Sequence, residues 1–115
     1  MLTIALVSLL VTAAPASRPC LSPEHARFNA LIGTWEATTG ENERAGTYRI
    51  ERVAGGCGLL GSWHGASGIT GTSLFAYDEA NGKWQQVWIG SDGTLLNLTE
   101  GRSPSGPITM ESTTD

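Results

Sequence analysis

The chain has 115 residues, seven Lys and Arg against eleven Asp and Glu, and a net charge of -4 at neutral pH. Its one lysine, Lys83, and the lack of any basic cluster argue against nucleic acid or an anionic membrane surface as a partner. Two cysteines, two histidines and no paired His or Cys spacing exclude the usual metal-site motifs, so no cofactor is expected.

From Leu2 to Val11 the chain is almost unbroken Leu, Ile, Val and Ala, and it runs into Ala14-Pro15-Ala16. That apolar run is too short to span a bilayer, so no stable membrane insertion is expected, and the small-residue triplet after it reads as a cleavage site. The pattern predicts a signal peptide over residues 1–16 and a secreted or periplasmic protein, although no Lys or Arg precedes Arg18 to supply the usual positive flank. Arg18, two residues before Cys20, does not suit lipoprotein processing, and no lipid anchor is expected.

Removing 16 of 115 residues leaves 99, residues 17–115, enough for one small domain. A domain of this size buries roughly 60 to 65 % of its unfolded surface, which leaves a thin stability margin. In an oxidising compartment the pair Cys20 and Cys57 reads as a disulfide, with a reactive thiol or metal ligand as the alternative. Closing that loop stabilises by roughly 3 to 4 kcal/mol on the chain-entropy argument.

Ser22-Pro23-Glu24 combines an N-cap, a proline at the first helical position and an acid in the first turn, which predicts a short helix to about Leu31. Phe28, Leu31 and Ile32 then form one apolar stripe, and Gly33 ends the element. Seven β-type runs follow, at 34–39, 47–53, 59–64, 73–77, 84–89, 94–100 and 108–111, separated by turn residues. Asp92-Gly93 is the tightest hairpin signal, with Asn81-Gly82 close behind.

Alternation places Trp84, Gln86 and Trp88 on one face of the fifth run, and Phe75 with Tyr77 on one face of the fourth. The opposite faces carry Val87 with Ile89 and Leu74 with Ala76, so a cover on both sides is expected, with the helix or a second layer against the outside. A sheet curled into a barrel provides this more readily than a flat one. The reading is all-β: an antiparallel meander after a short N-terminal helix. The final run has no return strand, so the sequence reads as truncated at its C-terminus, and an open final edge invites self-association.

The stretch Leu31-Ile32-Gly33-Thr34-Trp35, with its Gly-x-Trp at the start of the first strand, resembles the opening of calycins, the lipocalin and fatty-acid-binding group. The runs Gly56-Cys57-Gly58-Leu59-Leu60, Ser62-Trp63, Ser73-Leu74-Phe75-Ala76-Tyr77-Asp78 and Gly82-Lys83-Trp84-Gln85-Gln86-Val87-Trp88 are similar to an uncharacterised family of exported bacterial proteins with a lipocalin-like barrel. The resemblance covers about residues 20 to 101 and implies a calycin-type barrel without a known chemistry. That family carries further strands that this chain lacks, and calycins often pack a late Arg across the first-strand Trp. Arg102, in a Pro-flanked loop, is the only late basic residue, so an incomplete barrel is expected.

His64, beside Trp63, is the one candidate for a general base, against a packing or surface role, and His25 invites the same comparison. Gly55-Gly56-Cys57-Gly58 precedes a strand and reads as a turn rather than a phosphate cradle. Adjacent Asp78 and Glu79 in a hairpin loop point to solvation rather than acid and base work. Four tryptophans, Trp35, Trp63, Trp84 and Trp88, either fill a small core or line a cavity. The cavity reading takes Trp84, Gln86 and Trp88 with Tyr48, Phe75, Tyr77 and Trp63 as lining for a small, partly apolar ligand, bound without catalysis. The alternatives are a small enzyme using His64 or an acid in the same cavity, and a structural or interaction module whose exposed edge recruits a strand.

Overall fold

The structure, a computed structural model, describes residues 20–101 and 108–112; the expected signal segment, residues 102–107 with Arg102, and residues 113–115 lie outside them. The Ser22 hydroxyl caps the first turn, accepting from the His25 backbone N–H at 3.3 Å, and Pro23 opens α1 (Pro23–Ala26). The chain then tightens into a 3₁₀ turn, Arg27–Leu31. The 3₁₀ period of three sets Phe28 and Leu31 above one another on the sheet side. Ile32, expected in the same stripe, has already left the turn with extended backbone and is exposed.

Seven strands follow in one antiparallel sheet whose spatial order is the chain order: β1 (Gly33–Thr38), β2 (Arg44–Val53), β3 (Gly58–Gly65), β4 (Thr70–Asp78), β5 (Lys83–Gly90), β6 (Leu95–Glu100) and β7 (Met110–Ser112). The sheet curls into a half-barrel, open between β1 and β7 among the described residues. The expected meander is present: β2 to β5 are longer than the expected runs, β1 is shifted by one residue, and β6 and β7 are shorter.

Three hairpins at one end share a single design. Thr39 N–H to Glu43 O (2.7 Å), Gly65 N–H to Ile69 O (2.7 Å) and Gly90 N–H to Thr94 O (2.9 Å) each close a three-residue loop. The third loop residue is left-handed in each: Asn42 at φ 62°, Gly68 at 94° and Gly93 at 88°. Asp92-Gly93 is therefore not a two-residue turn. Asp92 accepts from the Thr94 N–H at 3.1 Å, and Gly93 takes the left-handed position that bends the chain into β6. Asn81-Gly82 likewise belongs to a longer loop, in which the Asp78 carboxylate accepts from the Ala80 and Asn81 N–H groups at 3.1 and 3.3 Å.

The two-residue period gives the half-barrel an inner and an outer face. Phe28, Ile50, Leu59, Phe75 and Trp84 form the buried core between the helical segment and the inner face. The expectation of a helix or second layer against the outside is corrected here. The helical segment packs inside, while Leu74, Ile89 and Leu95 on the outer face are 55 %, 58 % and 63 % exposed. One short helical segment cannot cover two faces, and the larger aromatic residues of β4 and β5 lie inside.

Cys20 and Cys57 are disulfide-bonded with their Cα atoms 5.0 Å apart, which fastens the segment before α1 to the turn between β2 and β3. A Cys20→Ser, Cys57→Ser double variant is expected to lose roughly 3 to 4 kcal/mol and to melt at least about 12 °C lower. On reduction the intact mass of the native protein rises by one hydrogen per sulfur. Two free thiols in protein folded under oxidising conditions, or an unchanged melt of the double variant, would contradict the tie.

Candidate functional site

Register brings the inner-face residues together. Tyr48 lies opposite Trp63, Ile50 opposite Gly61, and Gly61 in turn opposite Ser73. Farther along, Leu59 faces Phe75, Phe75 faces Gln86, and Tyr77 faces Trp84. All seven residues expected from the sequence as ligand lining, Trp84, Gln86, Trp88, Tyr48, Phe75, Tyr77 and Trp63, therefore share one face. They do not share one environment.

At the helical end the face is closed. Trp84 is 2 % exposed, and its ring stacks on Phe28 with centroids 4.1 Å apart. Its indole N–H donates to the Glu24 carbonyl at 2.9 Å, and its backbone N–H to the Glu100 carboxylate at 3.1 Å. Glu100 is buried and ion-paired with Arg27 of the helical segment. Tyr77 and the buried His25 meet edge-on at 5.1 Å, with His25 Nδ1 2.6 Å from the Ser22 hydroxyl. His25 is thus a satisfied packing residue, and Trp84 is core rather than cavity wall.

In the middle the face is hollow. A cavity of about 310 Å³ is lined by Leu31, Trp35, Tyr48, Ile50, Phe75 and Gln86. Three of these, Tyr48, Phe75 and Gln86, were anticipated; Leu31, Trp35 and Ile50 were not. The nearness of Trp35 to Tyr48 depends on the β1 to β2 register, which the pattern of a single strand does not contain. Trp35 is 47 % exposed, and its indole N–H donates to the Leu31 carbonyl at 2.7 Å, which ties the open side of the cavity to its roof.

The polar groups of the cavity sit at its floor. Gln86 Nε2 donates to the fully buried Ser73 hydroxyl at 2.9 Å. The Tyr48 ring lies over Gly61, where any Cβ would collide with the phenol oxygen, so a residue without a side chain is required there. The Tyr48 hydroxyl is buried without a partner at hydrogen-bond geometry among the described residues. Burial pushes its pKa above the ordinary 10.0, and the neighbouring Ser73 hydroxyl offsets part of that rise.

At the far end Trp63 and Trp88 are half-buried, Trp88 lying across Gly71 and Trp63 across Gly46. A second depression, of about 430 Å³, is lined by Ser62, Trp63, His64, Thr70, Gly71, Thr72, Ile89, Gly90 and Ser91. Of these, Ser62, His64, Thr70, Thr72 and Ile89 alternate with the inward Trp63, Gly71 and Trp88 and so belong to the outer face. His64 is exposed, and none of those residues is an acid that would orient it. Among the described residues no group of three His, Cys, Asp or Glu could hold a metal ion. No family model, curated protein or solved structure matches this chain.

The division of the face is testable by truncation. Trp84→Ala is expected to cost about 3 to 5 kcal/mol in denaturant unfolding, whereas Trp88→Ala, with its ring half in solvent, should cost under about 2 kcal/mol. Equal losses would mean that the far end is packed like the helical end. The Tyr48 phenol, read as the difference in 295 nm absorbance between wild type and Tyr48→Phe, is expected to titrate with a midpoint above 10.0. Because the folded pKa is the higher one, this group's contribution to stability is complete below the unfolded value and is lost as pH rises through the folded pKa. A midpoint at or below the ordinary value would place the hydroxyl in water.

Proposed function

We propose that this protein binds a small, partly apolar molecule without transforming it, in the cavity between the 3₁₀ turn and the middle of the inner face. The observation that carries the reading is the cavity itself: a hollow of about 310 Å³ walled by Leu31, Trp35, Ile50 and Phe75, with Tyr48 and Gln86 supplying polar atoms. Sites for small molecules combine apolar walls with a few placed polar groups, and roughly 300 Å³ is the lower end of their size range. The larger depression near His64 is bordered mostly by Ser and Thr hydroxyls and glycine backbone, with Trp63 and Ile89 beside them, so it offers less apolar surface to drive binding. The lipocalin-like character argued from the sequence motifs agrees with this use of the inner face. The Cys20–Cys57 disulfide supports a location outside the cytoplasm.

A neutral fluorescent probe, N-phenyl-1-naphthylamine, is expected to bind saturably with one site per chain. Trp35→Ala removes the exposed wall and should weaken binding at least about fivefold, the equivalent of roughly 1 kcal/mol, with little change in melting temperature. Ile89→Ser, on the apolar outer face, should leave the affinity unchanged. Binding that does not saturate, or that follows Ile89 rather than Trp35, would show that the probe reports the outer surface and would overturn the reading.

A further inference from the structure

Resting on that cavity reading, we infer that the ligand is a neutral, largely planar molecule that presents a hydrogen-bond acceptor to the Tyr48 hydroxyl, and that the site rejects carboxylates and other anions. None of the six lining residues carries a charge. Every cation among the described residues is committed elsewhere or lies off the inner face. Arg27 pairs with Glu100 and Arg44 with Glu36. The Arg52 guanidinium donates to the Gly56 carbonyl at 3.1 Å. Arg49 alternates with Tyr48 and Ile50 in β2, and Lys83 precedes the inward Trp84 in β5, so both belong to the outer face. An anion entering the cavity would lose its hydration and meet no counter-charge.

The polar atoms that remain suit a neutral guest. The Tyr48 hydroxyl is buried beside that of Ser73 and has no partner at hydrogen-bond geometry among the described residues, so it can turn its proton to an acceptor that reaches it. Burial raises the phenol pKa, which keeps it a donor throughout the physiological range. Gln86 spends its N–H on Ser73, and its carbonyl oxygen is left as the one side-chain amide acceptor in the lining. Trp35, Tyr48 and Phe75 supply ring faces and edges, which favour a flat aromatic or conjugated guest over a flexible chain.

Three probes on one skeleton separate these features: 2-acetonaphthone with a neutral acceptor, 2-naphthoate with a charge, and 2-ethylnaphthalene with neither. Binding to the disulfide-intact protein is followed by NMR through the Trp35 indole N–H. The ketone is expected to bind about tenfold more tightly than either of the others, and Tyr48→Phe should bring it within about twofold of the hydrocarbon while leaving the hydrocarbon's affinity unchanged. Tyr48→Phe keeps the ring over Gly61 and removes only the hydroxyl, so the variant should fold, and its melting curve is recorded beside wild type. Naphthoate binding as tightly as the ketone, or a ketone preference that survives Tyr48→Phe, would overturn the inference and leave the cavity reading intact. Failure of all three probes to move the Trp35 signal would overturn both.

Discussion

The rest of the molecule depends on the way Trp84 is held. A four-residue α-helix followed by one 3₁₀ turn has no stability of its own, because so short a helix never recovers its nucleation cost. It persists because Phe28 stacks on Trp84, the Trp84 indole donates to the Glu24 carbonyl, and Arg27 pairs with Glu100, which also receives the Trp84 backbone N–H. These contacts form a closed circuit joining the helical segment, β5 and β6. Breaking a buried ion pair on one side leaves an uncompensated charge, so Arg27 and Glu100 act as a unit. The disulfide holds the same segment from its other end.

What this circuit positions is the roof of the cavity. Leu31 closes the 3₁₀ turn and Trp35 follows four residues later in β1, joined to it by the indole hydrogen bond. With the roof fixed at the helical end, the inner face divides into three zones: a sealed core under Phe28, a hollow under Leu31 and Trp35, and a half-buried far end where Trp63 and Trp88 lie over glycines. The glycines matter to the middle zone as well. Gly61 lets Tyr48 lie against the sheet, which opens the volume above the ring and buries the hydroxyl. A buried donor without a partner costs stability, and its persistence beside a cavity is what a binding site would require.

The outer face poses the opposite problem. Leu74 and Ile89 stand exposed on strands whose inner faces carry core residues, with Leu95 exposed beside them on β6, so the half-barrel is apolar on both sides across β4 to β6. Sequence alternation alone could not distinguish a strand covered twice from a strand covered once and exposed once, because both read as apolar at every position. The helical segment settles the matter by packing on the side where Phe75 and Trp84 give it aromatic surface.

Much of the architecture was already legible in local chemistry. The Ser22 cap with Pro23, the seven strand runs and the turn residues between them depend on backbone preferences that act over a few residues, and period two alone puts Trp84, Gln86 and Trp88 on one side. The same sequence named Cys20 and Cys57 as partners because only two cysteines exist. Tertiary structure decided what no local rule contains: which members of that face are sealed and which border empty space. Trp84 and Gln86 differ by one step along the same side of β5, yet one lies beneath Phe28 and the other lines the hollow beside Leu31. That difference is set by where a nine-residue helical segment comes down on the sheet, through contacts between residues as distant in the chain as Arg27 and Glu100. Cross-strand register likewise brought Trp35, Ile50 and Gly61 to Tyr48, and register is a property of paired strands rather than of any one of them.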